Sequence, residues 1–431
     1  MTQSFDAAIA AFAPPLPLAV AFSGGADSTA LLLACAARWP GQVHAIHVHH
    51  GLQAAADAWP AHCQSICDNL GVPLSVKRVQ VQPGASLERA AREARYLAFA
   101  EVTGAGEVVL TGQHRDDQAE TLLFRLLRGA GVRGLAAMPA QRPLAGGYLV
   151  RPLLDVSREA LEVYAHEHQL KWIEDPSNAD SRFSRNYLRH RVLPALTERW
   201  PQAVTGLART AEHLGEAQGL LDELALLDLQ AASKASAFPW LGLPSLALAP
   251  LCELSDARQR NALRHWLAPL TRLPDSDHWA GWHSLRDAKG DAQPLWRLAD
   301  GELHRCGQRI WWLPSTRSEF SDATVSWPDP QNPLELPGNG QLTLTGEAPE
   351  GPLEVRYRQG GEILEVPGRG RRDLKRLLNE SGLPGFVRGR LPLLYQGEQL
   401  LGVPSLAGLW PAPIDDWQLH WMPQTCDQGL S

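Results

Sequence analysis

The feature that most constrains this chain is a six-residue turn, Ser23-Gly24-Gly25-Ala26-Asp27-Ser28. It stands between the apolar run Leu18–Phe22 and a helical segment, Thr29–Ala37. Two glycines let backbone approach an anion closely. The leading N–H groups of the helix then point at that anion, and the helix dipole adds to the attraction. The same alternation continues along the chain. Gln42–Val48, Leu74–Val81 and Glu107–Thr111 read as strands. Gln53–Leu70, Leu87–Ala100 and a segment through Thr121–Phe124 read as helices. Repeated β-α units with short connections predict a parallel sheet covered on both faces. Ligands of such sheets lie at the carboxyl ends of the strands.

Beyond Arg151 the pattern changes. Ser157 reads as the N-cap of a helix through His168, followed by helical segments Phe183–Leu196 and Val204–Leu229. Leu214–Leu270 is rich in Leu and Ala, with Arg258–Leu267 its clearest amphipathic piece. Ala299–Pro314 reads as a hairpin, and Ser315–Pro333 as a polar linker. Pro337–Leu430 carries short strands and one short helix near Asp373–Leu378. The expectation is an α/β chain with an N-terminal parallel-sheet nucleotide-binding domain. A helical domain and a smaller α+β C-terminal domain follow it. The 431 residues suit about three domains.

Forty Lys and Arg against 47 Asp and Glu give a net charge of -7, which excludes a globally basic nucleic-acid binder. Local basic clusters remain. Phe124–Arg133 holds three arginines and no acid, and Arg182–Arg191 holds four and no acid. Arg356–Arg390 holds nine Lys and Arg against four acids. Each alone would be a solvated face; three together favour a polyanionic partner. Tyr357, Phe386 and Tyr395 are available for stacking or for the core. Six cysteines, at 35, 63, 67, 252, 306 and 426, form no CxxC pair. Cys63 and Cys67 share a helix face and read as buried thiols. This usage suits a reducing compartment. The uncharged stretch Ala7–Ala26 is broken by Pro14, Pro15 and Pro17, and no basic region precedes it. A cytoplasmic protein without a membrane partner is expected.

Two further segments end strands of the same sheet, His47-Val48-His49-His50-Gly51-Leu52 and Gly112-Gln113-His114-Arg115-Asp116-Asp117-Gln118-Ala119-Glu120-Thr121. Asp117-x-x-Glu120 has capping-box spacing and could simply close a helix. Beside a phosphate loop, however, carboxylates need a metal or an ammonium group between them and the phosphates. Asp175-Pro176-Ser177-Asn178 could be an ordinary Asx turn.

The turn at 23–28 resembles the PP-loop of the N-type ATP pyrophosphatases, which cleave ATP between the α and β phosphates. With the two histidine-bearing segments, Asp175–Asn178, Arg185-Asn186-x-x-Arg189 and LKRLLNESGLPGFVRGRLPLLY, the chain resembles the tRNA(Ile)-lysidine synthetases over most of its length. The resemblance implies a PP-loop domain at 1–213, a mainly helical tRNA-binding domain at 214–314 and an α+β tRNA-binding domain at 334–431. It implies ATP-dependent ligation of L-lysine to C2 of the wobble cytidine of tRNA(Ile) with a CAU anticodon. The route passes through an adenylated tRNA and releases AMP and pyrophosphate. ATP would be held by Ser23, Gly24, Gly25, Ala26, Asp27 and Ser28, with His49 and His50 near the adenosine. Mg²⁺ would be held by Asp27 and Asp117. Asp27, His114, Asp117 and Glu120 are the catalytic candidates, and the sequence leaves open which group takes the proton of the lysine amine. Asp116, Arg185, Asn186, Arg189, Arg371, Arg372, Lys375 and Arg376 are the substrate-binding candidates. The loop has Ala26 where a bulkier apolar residue is common; no functional change is expected, since backbone does the binding.

A PP-loop tRNA thiolase would want a cysteine pair at the site, and Cys63-x-x-x-Cys67 has the wrong spacing. A non-catalytic nucleotide-sensing RNA-binding protein would have no use for an intact loop with Asp27.

Overall fold

The computed structural model describes residues 4–51, 54–81, 87–274, 277–289, 292, 294–316, 320–366, 369–405 and 417–423. Leu52, Gln53 and Cys426 therefore lie outside the described residues. The chain divides into two compact units, Met1–Leu220 and Leu221–Leu430.

The first unit opens with α1 (Phe5–Ala11), capped by the Ser4 hydroxyl. The βα alternation follows: β1 (Leu18–Ala21), α2 (Ala26–Arg38), β2 (Val43–His49), α3 (Trp59–Leu70), β3 (Leu74–Arg78), α4 (Leu87–Val102), β4 (Val108–Leu110) and α5 (Arg115–Leu126). After α6 (Val132–Leu135) the chain makes a hairpin, β5 (Gln141–Leu144) and β6 (Gly147–Val150). The sheet order is β3-β2-β1-β4-β6-β5. All neighbours are parallel except β5 with β6. Strands β1 and β4 are buried on both faces, from Leu18, Val20, Val108 and Leu110 on one side to Ala19 and Val109 on the other. Continuous apolar runs are what a sheet covered by helices requires.

The β5–β6 hairpin was not expected. Pro143, which cannot donate to a ladder, interrupts its first strand, and the edge position tolerates it. α7 (Arg158–Glu167) starts at Ser157, whose Oγ accepts from the Ala160 N–H, as the sequence predicts. The expected helix 183–196 is not continuous. It runs as α8 (Ser184–Tyr187), a π turn over Leu188–Val192, and α9 (Leu193–Arg199). The boundary between the units falls inside the 30-residue helix α10 (Ala203–Ala232).

The second unit holds two apolar clusters. The first joins α10 to β7 (Ser245–Ala247), α11 (Leu248–Cys252), α12 (Asp256–Leu267), α13 (Ala280–Asp287), β8 (Leu295–Leu298), β9 (Gly301–Cys306) and β10 (Arg309–Pro314). Its antiparallel sheet has the order β7-β10-β9-β8. The second cluster is built by β11 (Val325–Trp327), β12 (Leu334–Leu336), β13 (Gly340–Gly346), β14 (Leu353–Arg356), β15 (Ile363–Val366) and β16 (Gly370–Asp373), then α14 (Leu374–Glu380), α15 (Gly385–Arg388), β17 (Leu393–Gln396), β18 (Gln399–Gly402) and β19 (Trp417–Met422).

One expectation needs correcting: 315–333 is not only a linker. β11 pairs with β14, and Trp327 is buried in the second cluster, so an indole anchors a segment whose composition is otherwise polar. Tyr357 is buried, and Phe386 and Tyr395 pack against the same core. Core packing, rather than stacking, therefore accounts for these three rings. Among the described residues no helix is long and apolar enough to cross a membrane.

Candidate active site at the carboxyl ends of β1, β2 and β4

β1 delivers the chain to the turn through Phe22, whose N–H donates to the Ile46 carbonyl at 2.8 Å. The turn is held from within. The Ser23 and Ser28 hydroxyls meet at 3.0 Å, and Ser28 Oγ donates to the Gly25 carbonyl at 3.0 Å. Gly24 has φ +86°, and its carbonyl accepts from the Ile173 N–H at 2.8 Å. No side chain caps the N-terminus of α2, so its first N–H groups remain available to an anion. The 170s segment thus closes over the loop, a contact no local pattern in the sequence reveals.

Asp27 stands in the first turn of α2 with its side chain 46 % exposed. The protein around it nevertheless removes enough water to raise its carboxyl pKa, and Asp117 adds to the rise while His114 opposes it. Gly112 brings the end of β4 against this turn. A Cβ there would lie 3.2 Å from the Asp27 carbonyl carbon and oxygen.

His114 caps α5 and is buried. Its backbone N–H donates to Asp117 Oδ2 at 3.1 Å, and its Nδ1 accepts from the Asp116 N–H at 3.3 Å. The capping box is therefore His114-x-x-Asp117, three residues upstream of the spacing noted in the sequence. His114 Nε2 lies 3.8 Å from Asp27 and 3.6 Å from Asp117. Burial disfavours its charged form, but the Asp116 side chain and the charges of Asp117 and Asp27 outweigh this and raise its pKa. Asp116 also accepts the Arg158 N–H at 2.9 Å, so it helps to fix the start of α7.

Asp117 and Glu120 are one turn apart on α5 and meet Arg185 and Arg189, one turn apart across α8 and the π turn. Arg185 reaches Glu120 at 2.8 Å and Asp117 at 2.9 Å. Arg189 reaches Glu120 at 2.6 and 2.9 Å and Asp117 at 3.2 Å. Glu120 is 1 % exposed, so its carboxylate depends on these two guanidiniums. Burial works against the ionised form of Asp117, yet His114 and the arginines hold its pKa below the usual range. Asn186 does not face this pair. Its amide donates to the Ser177 and Asp180 carbonyls at 2.8 and 3.0 Å and fixes the preceding turn. That turn is the Asx turn, Asp175 Oδ1 accepting from the Ser177 N–H at 2.8 Å.

The histidine strand end divides into separate roles. His47 is buried, 2.9 Å from the Phe22 carbonyl and 3.4 Å from Cys63 Sγ. His49 is buried with Nε2 3.2 Å from Asp57. His50 accepts from Arg95 Nε at 3.4 Å, and burial with that charge lowers its pKa to about 4, so the ring is neutral near pH 7. Cys63 and Cys67 are fully buried, and burial pushes the Cys63 thiol up to about 12. Arg371, Arg372, Lys375 and Arg376 belong to the second unit, on β16 and α14, and are exposed.

Among the described residues no group of three His, Cys, Asp or Glu is placed as a metal cage. Mg²⁺ does not need one, since it is commonly held by one or two carboxylates, phosphates and water. Asp27 fits that use: it is accessible beside an uncapped helix N-terminus. Asp117 is already engaged, Oδ1 by two guanidiniums and Oδ2 by backbone.

The PP-loop domain family matches residues 2–196, the TilS substrate binding domain residues 246–311, and the TilS substrate C-terminal domain residues 353–421. A tRNA(Ile)-lysidine synthase of Pseudomonas fluorescens is 63 % identical over 415 residues, covering 95 % of this chain and 94 % of the relative. One of Pseudomonas aeruginosa is 62 % identical, covering 96 % and 95 %. One of Xanthomonas campestris is 43 % identical, covering 94 % and 93 %. All three stretches, in order and over nearly the full length, are shared with these enzymes, and the chain belongs to the tRNA(Ile)-lysidine synthase family.

Proposed function

We propose that the chain uses ATP and L-lysine to convert the wobble cytidine of a CAU-bearing tRNA(Ile) to lysidine, releasing AMP and pyrophosphate, and that it acts in the cytoplasm. One observation carries the chemistry: an uncapped α2 N-terminus next to Asp27, with His114 Nε2 at the start of α5 within 4 Å of both Asp27 and Asp117. The C2 oxygen of cytidine is a poor leaving group until it is linked to AMP. The departing pyrophosphate needs N–H donors that are already in place, which the uncapped start of α2 supplies, while the Ser23 and Ser28 hydroxyls hold the turn in shape. Mg²⁺ bound at Asp27 would neutralise charge on the phosphates. Asp117, held by Arg185 and Arg189, would orient His114 rather than the metal.

Lysine must attack as a free amine although its ordinary pKa is ~10.4. His114 Nε2 is the proposed proton acceptor. Three carboxylates favour its protonated form, and its Nδ1 is fixed by the Asp116 N–H. Glu120 is spent on two guanidiniums and would act by holding them in place.

The test is mass analysis of a CAU tRNA(Ile) transcript after incubation with ATP and lysine. Wild type should add one lysine with loss of water, and Asp27→Ala should add none. An unmodified transcript, or cleavage of ATP at its terminal phosphate, would sink the reading. The thiolase alternative is not favoured, because Cys63 and Cys67 are buried core thiols.

A further inference from the structure

A group of arginines in the first unit has no part in the chemistry above. Tyr96 on α4 carries two guanidinium groups over one ring, Arg142 at 3.9 Å and Arg92 at 5.2 Å from the centroid. Arg151, at the end of β6, is 3 % exposed and lies close enough to the Tyr96 hydroxyl to share its electrostatics. Arg125 on α5 flanks the group, its Nη1 held by the Gly134 and Ala137 carbonyls at 2.8 Å each. Among the described residues none of these four arginines forms an ion pair. The charges act on one another instead: Arg142 and Arg92 both lower the Arg151 pKa, after burial, and Arg92 lowers that of Arg125, again after burial.

Such an arrangement is costly alone. Like charges repel, and buried guanidinium N–H groups need acceptors. Here Nε of Arg151, and Nε and Nη2 of Arg142, are buried with no partner among the described residues. The cation–π contacts offset part of this cost, about 0.5–2 kcal/mol each. An anion with several acceptor oxygens would satisfy the remainder, and phosphate matches the forked donors of arginine. The location suits the substrate. Arg151 directly follows the carboxyl end of β6, Arg142 lies near the start of antiparallel β5 opposite Leu149 at that same edge, and helix α4 reaches His50 through Arg95.

We propose that Arg92, Arg142 and Arg151, gathered around Tyr96, form a phosphate subsite for the RNA strand that carries the target base. It is separate from the loop that holds the ATP phosphates. This inference rests on the proposed function for the identity of the RNA. It deepens that reading by assigning backbone contacts that fix where the cytidine lies.

The experiment measures affinity for a CAU anticodon stem-loop RNA without ATP or lysine, across a salt series, for wild type, Arg92→Gln, Arg142→Gln and Arg142→Lys. Each Gln variant should bind roughly 3–10-fold more weakly at low salt and lose about 0.7–0.9 from the salt slope per phosphate contact. Arg142→Lys should keep the slope. In steady state, KM for tRNA should rise while kcat at saturating tRNA and KM for ATP stay put. A raised KM for ATP with unchanged RNA affinity would overturn the proposal and assign the arginines to the nucleotide. Unchanged RNA affinity and salt slope in Arg92→Gln, at an exposed position, would overturn it as well. Failure of wild type to modify the transcript would count against the proposed function instead, because the affinity arm requires no turnover.

Discussion

Gly24 sits at φ +86°, and a Cβ there would lie 2.7 Å from Ile173 Cδ1 and 3.1 Å from Cys63 Sγ. Backbone strain and crowding thus act together at one residue. Gly24→Ala should cost on the order of 1–3 kcal/mol of stability. It should also abolish tRNA-dependent pyrophosphate release, because any relief moves the loop away from the Ile173 N–H. Thermal unfolding and pyrophosphate assay check the two parts, and a variant with wild-type turnover would refute the role given to this turn. His114 caps α5 beside the same turn. Its folded pKa is raised, so the charged form stabilises the fold. That contribution is complete below the unfolded value of ~6.5 and is lost as pH rises through the folded value. Over that window wild type should lose stability by up to about 1.4 kcal/mol per pH unit from this group. His114→Asn, which can still cap α5, should flatten that part of the profile. Denaturant unfolding between pH 6 and 9 (roughly the window set by the ordinary histidine value) reads the difference.

At the scale of elements, the site depends on α5 meeting α8 and the π turn. The π turn is where the register of the second helix shifts, and Arg189 lies within it. Because Glu120 is enclosed, removing one guanidinium leaves an under-compensated buried carboxylate. Arg189→Ala should destabilise the first unit by about 3 kcal/mol, and Glu120→Gln in the Arg189→Ala background should recover part of that loss. A melting shift in Arg189→Ala no larger than that of a surface arginine would show that the pair is not structural. This contact also shows what the sequence makes legible. The loop at 23–28, the cap at Ser157 and the βα alternation are local patterns, and each was readable from neighbouring residues. The two carboxylates on α5 were readable as a cluster. Their guanidinium partners were legible only as arginines one turn apart, since the pairing spans some 65 to 72 residues. Ile173 over Gly24 and Gly112 against Asp27 were not legible at all, because an apolar residue and a glycine carry no mark of a distant partner. β11 was hidden for the same reason: Trp327 is buried against β14 and its cluster, some 26 residues or more along the chain.

The whole molecule joins a first unit that carries the PP-loop domain to a second unit matched by the TilS substrate binding and TilS substrate C-terminal domains. A chain with net charge -7 can bind tRNA only through regions where cations outnumber local acids. In the second unit the exposed set on β16 and α14 is such a region, but its members are not equivalent. Arg376 spends its charge on Glu380 at 3.0 Å, and Arg369 lies 3.8 Å from the same carboxylate. Arg371, Arg372 and Lys375 form no ion pair among the described residues, so their charges are the ones free to displace counterions from RNA. Replacing these three by Ala should lower the salt slope of full-length tRNA binding by about 2–3, at ~0.7–0.9 per phosphate contact, and leave ATP affinity unchanged. Adding Arg376→Ala should change the slope little, since that substitution also frees Glu380. Filter binding of tRNA between about 50 and 200 mM salt resolves slopes of this size. An unchanged slope in the triple variant would remove the cluster from the interface, and an equal drop for Arg376→Ala alone would show that its ion pair opens when RNA binds.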